Sequence, residues 1–363
     1  MSKVLFAITT LFGGGAERVA TVWANKLVNR GYDVTFLIYG RSENEYFVDD
    51  RIHIKTVASD YKAYKKMGYF ARLKAMRKII KEVKPEITVN FLPRMQIWMM
   101  MAAWGLKIKR VETVRVSPWM ICSGSKAERA LWKHCFTRAD KVIFQTAEQG
   151  EFFNDKVRAK SVVISNPISE QYCNNPKTSY SSSNNRFVAA GRITSQKNYP
   201  VMIEAFSKAL KTNPELTLSI YGTGDEAYIA EMQALISEAG IEDSVKLMGR
   251  TTDMLSVLQN ADAFLMTSDF EGMPNALAEA MVMGLPCIST NCRTGPKDMI
   301  DNGESGFLVN VGDSDDIADA ILKVARMNAE ESKEMGAKAR AKMLDMCGEE
   351  NSLKKLIDLI ENC

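Results

Sequence analysis

Short apolar runs alternate with helical patterns along the chain. Residues 4–8 form an apolar run that ends at three glycines, residues 16–29 have helical periodicity, and residues 33–38 form the next apolar run. Continuous apolar runs of this length are typical of strands buried on both faces of a parallel sheet. The order of strand, glycine-rich turn, helix and strand therefore predicts an α/β fold with helices on both faces of the sheet.

The pattern is interrupted once and then resumes. Residues 167–185 lose hydrophobic periodicity and are rich in Ser, Asn and Pro, which is typical of a linker. A second α/β pattern begins at residue 187, and a chain of 363 residues suits two domains. We therefore predict Rossmann-like domains at residues 1–166 and 186–348, and a last helix in residues 349–363 that packs back on the first domain.

Charge is divided unevenly between the two halves. Residues 1–166 contain 29 Lys and Arg against 15 Asp and Glu, whereas residues 167–363 contain 18 against 29. A basic half of this kind indicates an anionic partner, with a phospholipid surface and nucleic acid as the two candidates.

The numbers and spacing of cysteine and histidine bear on whether the chain has disulfides or a metal site. The cysteines are odd in number and form no C-x-x-C pair, and the chain has only two histidines. These features argue against a disulfide framework and a zinc site, so we expect no metal and no cofactor. No apolar stretch reaches the roughly 20 residues of a membrane span, and no signal-peptide pattern occurs, so we expect a cytoplasmic protein. The seven cysteines are Cys122, Cys135, Cys173, Cys287, Cys292, Cys347 and Cys363.

Two cations follow the first strand of the second half. A strand ends at Gly191, and Arg192 and Lys197 then flank a polar turn before a helix. Arginine offers phosphate a planar fork and lysine a compact charge, so the pair suits a diphosphate. A pair of solvated surface cations is the alternative.

Two glutamates eight positions apart are the strongest feature. Glu271 lies in a predicted loop, and Glu279 lies in the following helix among apolar residues, where an unpartnered carboxylate would be costly. In the second helical turn Glu279 can accept hydrogen bonds from both hydroxyls of a ribose. Backbone N–H groups before and at the helix start can bind hydroxyl or phosphate oxygens, and the residues concerned are Gly272, Met273, Pro274 and Asn275. The alternative is a capping acid and a surface acid.

Three further features are weaker. Gly222 lies in a strand-to-helix turn where glycine permits close approach to a ligand, although a plain tight turn explains it equally well. Arg250 follows a short strand, where its loop either lies beside a nucleobase or is a surface turn. Asp313 and Asp315 form an Asp-x-Asp, but their place directly before a helical pattern favours helix capping over metal binding.

These positions match a family pattern. The chain resembles the GT-B glycosyltransferases of family 4, a retaining group that builds bacterial polysaccharides and lipid-linked oligosaccharides. The resemblance spans essentially the whole length. It is carried by Gly13-Gly14-Gly15-Ala16-Glu17-Arg18, Ser165-Asn166-Pro167, Gly191-Arg192 with Lys197-Asn198, Glu271-x7-Glu279, and Gly284-Leu285-Pro286 with Gly303-Glu304-Ser305-Gly306.

The resemblance implies two Rossmann-like domains that face each other across a cleft. Arg192 and Lys197 would hold the diphosphate of a UDP-sugar and stabilise the charge that develops on it. Glu271, with the N–H groups of residues 272–275, would hold the sugar hydroxyls, and Glu279 would bind the ribose. The acceptor side would be lined by Gly13, Gly14, Gly15 and Arg18.

One segment departs from the family pattern. Many members carry a histidine or aspartate in the loop after the fourth N-terminal strand, whereas residues 114–119 here contain neither. We therefore assign no general base. The leaving diphosphate itself is expected to help deprotonate the acceptor.

A basic segment lies in the first half. Residues 61–84 contain nine Lys and Arg and one acid, and their apolar residues form a nearly helical stripe of Phe70, Leu73, Met76, Ile80 and Val83. A basic amphipathic helix can lie on anionic lipid or attract a pyrophosphate-linked acceptor. The alternative is a helix that packs on the sheet with its lysines in solvent. We assign membrane contact to Lys62, Lys65, Lys66, Arg72, Lys74, Arg77 and Lys78.

The combined prediction is a retaining hexosyltransferase at the inner face of the cell membrane. It would move a hexose or N-acetylhexosamine from a UDP-sugar to a glycan acceptor linked to polyprenyl diphosphate. A GT-B enzyme with a soluble acceptor and a UDP-sugar epimerase are alternatives. A nucleic-acid-binding protein that uses the basic half is an alternative of another class, although no recognised nucleic-acid module occurs and we expect no nucleic-acid partner.

Overall fold

The chain divides into two compact units. The computed structural model describes residues 2–120 and 125–363. Unit 1 contains the residues up to Pro167 together with Glu350–Cys363, and unit 2 contains Ile168–Glu349. Each unit has a parallel sheet with hydrophobic cores on both faces. The predicted α/β class with two Rossmann-like domains is confirmed.

The sheet of unit 1 has the order β3-β2-β1-β4-β5-β6-β7 within the described residues, and all its strands are parallel. The strands are β1 Lys3–Ala7, β2 Asp33–Ile38, β3 His53–Thr56, β4 Ile87–Asn90, β5 Lys109–Thr113, β6 Lys141–Phe144 and β7 Ser161–Val163. The helices are α1 Gly15–Asn29, α2 Tyr61–Lys66, α3 Tyr69–Val83, α4 Pro93–Ala102, α5 Lys126–Arg138 and α6 Asp155–Arg158, with a 3₁₀ turn at Glu148–Phe152.

Unit 2, which is described throughout, has the strand order β10-β9-β8-β11-β12-β13, again parallel. Its strands are β8 Arg186–Ala190, β9 Thr217–Tyr221, β10 Val245–Gly249, β11 Ala263–Met266, β12 Cys287–Thr290 and β13 Phe307–Val309. Its helices are α7 Glu170–Cys173, α8 Tyr199–Leu210, α9 Glu226–Glu238, α10 Met254–Asn260, α11 Asn275–Val282, α12 Pro296–Met299, α13 Ser314–Arg326 and α14 Ala329–Cys347, with a 3₁₀ turn at Ser195–Lys197.

The central strand of unit 1 shows why its apolar run is continuous. Successive strand side chains point to opposite faces, so β1 supplies both cores. Val4 and Phe6 join the core under α1, whereas Leu5 and Ala7 join the core under α3 and α4. A strand covered on both faces needs apolar residues at every position, as the sequence pattern indicates.

The predicted linker, residues 167–185, packs as part of unit 2 from Ile168 onwards. Lys177 Nζ donates to the carbonyls of Gln259 (3.1 Å) and Ala261 (2.7 Å), and Asn184 Nδ2 donates to the carbonyl of Val324 (2.9 Å). Side chains that donate hydrogen bonds to backbone carbonyls are polar, so a segment held by them shows no hydrophobic periodicity. The segment is therefore ordered by hydrogen bonds, although its sequence is typical of a linker.

The last helix, α15 (Glu349–Glu361), packs on unit 1. Its Leu353, Leu356 and Leu359 are buried in the core under α1. Trp23 Nε1 on α1 donates to Ser352 Oγ (3.0 Å), which donates to the carbonyl of Ser165 (3.2 Å). The helix is therefore an integral part of unit 1.

Two sequence expectations concern features that the described residues lack. No described helix is both long enough and apolar enough to span a bilayer. The six described cysteines are free, and Cys122 lies outside the described residues.

Candidate functional site

The predicted cations and the first glutamate meet at one point of the sheet of unit 2. The strand order reverses between the neighbours β8 and β11. The turn after β8 carries Arg192 and Lys197, and the loop after β11 carries Glu271. Open α/β sheets bind ligands at the carboxyl ends of the strands at such a reversal.

Lys197 and Glu271 form an ion pair at this point. Lys197 Nζ lies 2.6 Å from Glu271 Oε1, and the two side chains are only 16% and 9% exposed. Ser268 Oγ donates to the same carboxylate oxygen at 2.8 Å. Ser268 was not predicted, because a serine three positions before the glutamate has no distinguishing sequence signal.

Hydrogen bonds join the turn after β8 to the loop after β11. Thr267 Oγ1 lies 3.0 Å from the carbonyl oxygen of Lys197, and Gln196 Nε2 donates to the carbonyl of Phe270 at 2.8 Å. Asn198 Nδ2 donates to Asp269 Oδ1 at 2.7 Å. These contacts fix the two backbones that carry Lys197 and Glu271.

Two glycines leave room for this arrangement. A Cβ on Gly191 would lie 3.1 Å from Lys197 Cε, so the glycine lets the lysine side chain pass. A Cβ on Gly222 would lie 1.8 Å from the carbonyl oxygen of Gly191. Gly222, predicted as a ligand-binding position, thus has a packing reason for being glycine, because the turns after β8 and β9 touch there.

A third loop, after β12, holds the loop of Glu271 from the other side. Thr294 Oγ1 donates a hydrogen bond to the carbonyl of Glu271, and Thr294 is fully buried with a φ of 66°. A Cβ on the next residue, Gly295, would lie 2.8 Å from Pro274 Cδ. A β-branched residue with positive φ is a backbone outlier that persists only when its surroundings enforce it.

Glu279 lies on the second turn of α11 and is 7% exposed. Its neighbours in the helix, Ala278 and Ala280, belong to the hydrophobic core. The N-cap of α11 is Pro274, which offers no side-chain acceptor to the first N–H groups of the helix. Gly272 and Met273, which precede this helix start, are buried.

The remaining predicted residues of unit 2 lie along the same edge. Arg192 is exposed directly after Gly191, and Arg250 is exposed directly after β10. The edge therefore presents one cation beside the ion pair and a second two strands away.

In unit 1 the glycine loop leads from β1 into α1. Gly13 has a φ of 80°, Gly14 is the N-cap, and Gly15 is the first residue of α1. The Glu17 carboxylate folds back so closely that a Cβ on Gly14 would lie 1.9 Å from its Oε2. Arg18 is half-buried on the same turn.

The segment that lacks a histidine or aspartate contains a buried arginine. Arg115 is 7% exposed, its guanidinium lies 4.4 Å from the Trp23 ring centroid, and its Nη1 donates to Asn166 Oδ1 at 3.1 Å. Burial lowers the pKa of Arg115 to about 9. Gln145 Nε2 donates to the same Asn166 oxygen at 2.7 Å. The Asn166 side chain therefore connects the segments that follow β5, β6 and β7.

The Asp-x-Asp is a helix cap. Asp313 Oδ1 accepts from the backbone N–H groups of Asp315 (3.1 Å) and Asp316 (3.0 Å) at the start of α13, and Asp315 pairs with Lys208 at 2.6 Å. Across residues 2–120 and 125–363, no group of three His, Cys, Asp or Glu residues could hold a metal ion. The capping interpretation is confirmed.

The basic segment differs from the single helix that the sequence predicts. It forms α2 and α3, which are separated at Met67 and Gly68. Met76 and Ile80 are buried against the sheet, whereas Phe70 is 82% exposed. The apolar stripe therefore packs on the domain, as the alternative held, with only Phe70 left outside.

Two of the predicted membrane cations are structural. Arg72 Nη2 donates to the carbonyl of Lys65, and Arg77 Nη1 donates to the carbonyls of Ala102 and Trp104, each at 2.8 Å. The other predicted membrane residues are exposed; they are Lys62, Lys65, Lys66, Lys74 and Lys78.

Two family models match almost the whole chain. Residues 13–172 match the model described as Glycosyltransferase Family 4, and residues 174–342 match the model described as Glycosyl transferases group 1. The chain belongs to the family 4 glycosyltransferases. This assignment favours the enzyme over the nucleic-acid-binding alternative.

Individual relatives and a solved structure agree with the assignment. This glycosyltransferase is 26% identical to an uncharacterized glycosyltransferase of Haemophilus influenzae, over 99% of this chain and 98% of the relative. It is 27% identical, over 100% of both chains, to an alpha-1,4-N-acetyl-D-galactosaminyltransferase of Campylobacter jejuni that is named for a PP-undecaprenol-linked substrate. Its fold matches Anabaena HepE in complex with UDP and glucose with a TM-score of 0.82 and 17% identity, over 100% of both chains. The fold is GT-B.

Proposed function

We propose that this enzyme transfers a hexose or N-acetylhexosamine from a UDP-sugar to a glycan carried on polyprenyl diphosphate, with retention of the anomeric configuration. The observation that carries the proposal is the Lys197–Glu271 pair at the strand-order reversal of unit 2, beside the exposed Arg192. The UDP and glucose in the HepE structure support the donor class, and the C. jejuni relative supports the acceptor class.

The donor diphosphate would bind the ammonium group of Lys197 in place of the Glu271 carboxylate. Phosphate oxygens compete with the Glu271 carboxylate for Lys197 Nζ, and Arg192 adds a planar fork from the same turn. Glu271 is then free to accept hydrogen bonds from sugar hydroxyls, and Glu279 accepts them from the ribose. Both cations stabilise the charge that develops on the diphosphate as the glycosidic bond breaks.

The acceptor hydroxyl needs a base at the same face of the sugar. Neither histidine is placed for this role: His53 begins β3 at the amino edge of its sheet, and His134 is exposed on α5. The leaving diphosphate oxygen is therefore the proposed proton acceptor. Arg192 and Lys197 would then stabilise the negative charge on the diphosphate.

A donor panel followed by a transfer assay tests the proposal. Binding of a UDP-sugar at 100 times its Kd raises stability by about 2.7 kcal/mol, so UDP-, GDP- and ADP-sugars can be compared by thermal shift. The selected donor is then incubated with a polyprenyl-diphosphate-linked glycan, and the anomeric configuration of the product is read by NMR. Selective stabilisation by a GDP- or ADP-sugar would overturn the donor assignment. A product with inverted anomeric configuration would overturn the proposed retention.

The same assay separates the enzymatic alternatives. Transfer to a free oligosaccharide, at a rate equal to that with the lipid-linked glycan, would favour a soluble acceptor. Conversion of the UDP-sugar without any acceptor would favour an epimerase.

A further inference from the structure

A buried arginine in unit 1 has more hydrogen-bond donors than the described residues satisfy. Arg115, the second residue after β5, is 7% exposed, and its Nη1 donates to Asn166 Oδ1 at 3.1 Å. Its Nε and Nη2 are buried and have no hydrogen-bond partner within residues 2–120 and 125–363. Buried side-chain donors are paired in most native structures, so two unpaired nitrogens on one guanidinium call for an explanation.

The positive charge of Arg115 also has no counter-ion in the part of the chain that the structure describes. The guanidinium lies over two aromatic rings, with centroids 4.4 Å away for Trp23 and 5.3 Å away for Phe91, and Asn166 is neutral. Burial lowers the pKa of Arg115 to about 9, and no described carboxylate counteracts this shift. Arg115 is therefore charged at neutral pH. An unpaired buried charge is costly, and a site for an anionic ligand would explain why it is kept.

Arg115 lies where sheets of this kind bind ligands. The strand order of the unit 1 sheet reverses between β1 and β4. Both rings that contact Arg115 belong to elements that follow these strands, since Trp23 is on α1 and Phe91 comes directly after β4. Open α/β sheets bind ligands at the carboxyl ends of the strands beside such a reversal. The next residue, Val116, is 39% exposed, so the guanidinium is close to the surface there.

The two unpaired nitrogens define the chemistry of the ligand. Nε and Nη2 form one edge of the guanidinium, and the parallel N–H groups of this edge match the two oxygens of a carboxylate or a phosphate. We propose that Arg115 binds an oxyanion of the acceptor through this edge. Two acceptor groups have this chemistry, namely a phosphate of the lipid diphosphate and the carboxylate of an acidic sugar in the glycan. The inference rests on the proposed function for the identity of the acceptor, whereas the anion site itself is testable without sugar transfer.

Tryptophan fluorescence of the whole protein tests anion binding. All five tryptophans lie in residues 1–166, so the signal arises in unit 1 and not at Arg192 and Lys197 of unit 2. Inorganic pyrophosphate and methyl glucuronide are titrated separately, as models of the lipid link and of an acidic sugar. At least one probe should give a saturable change in wild type, and that probe identifies the source of the oxyanion. The change should largely disappear in Trp23→Phe, because this ring lies over the guanidinium.

Substitutions of Arg115 separate a binding role from a structural one. Arg115→Met should weaken binding of the probe by about ten-fold or more, because charge-assisted hydrogen bonds are lost. Its Tm should not fall, because the substitution removes an unpaired buried charge. Arg115→Lys keeps the charge without the planar fork and should also bind more weakly than wild type, so its Kd decides if Arg115→Met does not fold. Arg129→Met removes a charge from an exposed position on α5 and should bind as wild type does.

Transfer kinetics connect the site to the acceptor. With a lipid-linked glycan, Arg115→Met should raise the acceptor KM by about ten-fold or more and leave the Kd of UDP unchanged. A wild type that responds to neither probe, or a Kd that is equal in wild type and Arg115→Met, would overturn the inference. So would a lower Tm in Arg115→Met with an unchanged acceptor KM, since that pattern describes a structural arginine. Arg115-dependent anion binding in a protein that transfers no sugar would leave the anion site in place and count against the proposed function.

Discussion

Lys197 Nζ lies 2.6 Å from Glu271 Oε1, and both side chains are mostly withdrawn from water. In a largely buried pair each charge depends on the other, so removal of one partner leaves the other uncompensated. The carboxylate therefore holds the ammonium in place until a diphosphate competes for it. This relationship makes the pair both a structural element and the candidate centre of the reaction.

Replacement of Lys197 should separate these two roles. Lys197→Met is expected to lower kcat/KM by about 100-fold or more, since it removes a cation that would stabilise the leaving diphosphate. It should also lower Tm, because Glu271 keeps only its bond from Ser268. Adding Glu271→Gln should restore Tm but not activity. Lys211→Met, at the other end of α8, is the matched control, and wild-type kcat/KM in Lys197→Met would refute the assignment.

Glu279 should discriminate between nucleotides with and without ribose hydroxyls. Glu279→Gln is expected to weaken UDP binding by about ten-fold or more, because a charged acceptor is lost from two hydrogen bonds. It should change the Kd of 2′,3′-dideoxy-UDP little. Calorimetric titration of both nucleotides measures this coupling, with the exposed Glu238→Gln as control. The same loss of affinity for both nucleotides would contradict ribose binding.

The elements and the two ends of the ion pair could be predicted from the sequence. Period and turn residues indicate strands, and the family resemblance assigns Lys197 and Glu271 to one donor site. The adjacency of β8 and β11, which brings the two side chains together, comes from the structure. The contacts of Ser268 and Thr294 were not predictable, because they depend on how two loops pack. The same reason explains why the lysines of residues 61–84 are exposed whereas Arg72 and Arg77 are half-buried, since Lys and Arg have the same hydropathy pattern but different hydrogen-bonding geometry.

Thr294 should act as a positioning residue for the loop of Glu271. Thr294→Val keeps the shape but removes the hydroxyl that bonds the Glu271 carbonyl, so kcat is expected to fall several-fold with Tm lowered by a few degrees. Thr294→Ser keeps the hydroxyl and should retain most activity. Steady-state kinetics and thermal unfolding of both variants provide the test. A loss of kcat in Thr294→Ser but not in Thr294→Val would mean that the methyl group, not the hydrogen bond, matters.

Turnover should not require a divalent metal. The Asp-x-Asp is occupied in capping α13, and the charge on the diphosphate would be balanced by Arg192 and Lys197. Activity measured after dialysis against EDTA should equal that of untreated enzyme. A loss of turnover that magnesium or manganese restores would show that a metal shares this role.

Glu112 should give unit 1 a pH-dependent stability. It lies on β5 opposite Asn90 of β4, is fully buried, and accepts a hydrogen bond of 3.0 Å from Asn90 Nδ2. Burial raises the pKa of Glu112 to about 8, against the lowering effects of Arg110, the Asn90 bond and Lys160. Between the usual carboxyl pKa and this value, the folded state binds a proton that the unfolded state does not. Stability is therefore lost as pH rises through this window and levels off above it.

Glu112→Gln should abolish this dependence, because the amide keeps an acceptor for Asn90 and cannot ionise. The Tm difference between variant and wild type is expected to be small near pH 5 and to grow in favour of the variant up to about pH 8. Over this range the free energy of unfolding of the wild type should fall, relative to the variant, by at most about 1.4 kcal/mol per pH unit. Glu86→Gln, at an exposed position before β4, should give no such trend. Thermal unfolding of the three proteins across this range measures it. A Tm difference that does not vary with pH would mean that Glu112 is ionised in the folded protein.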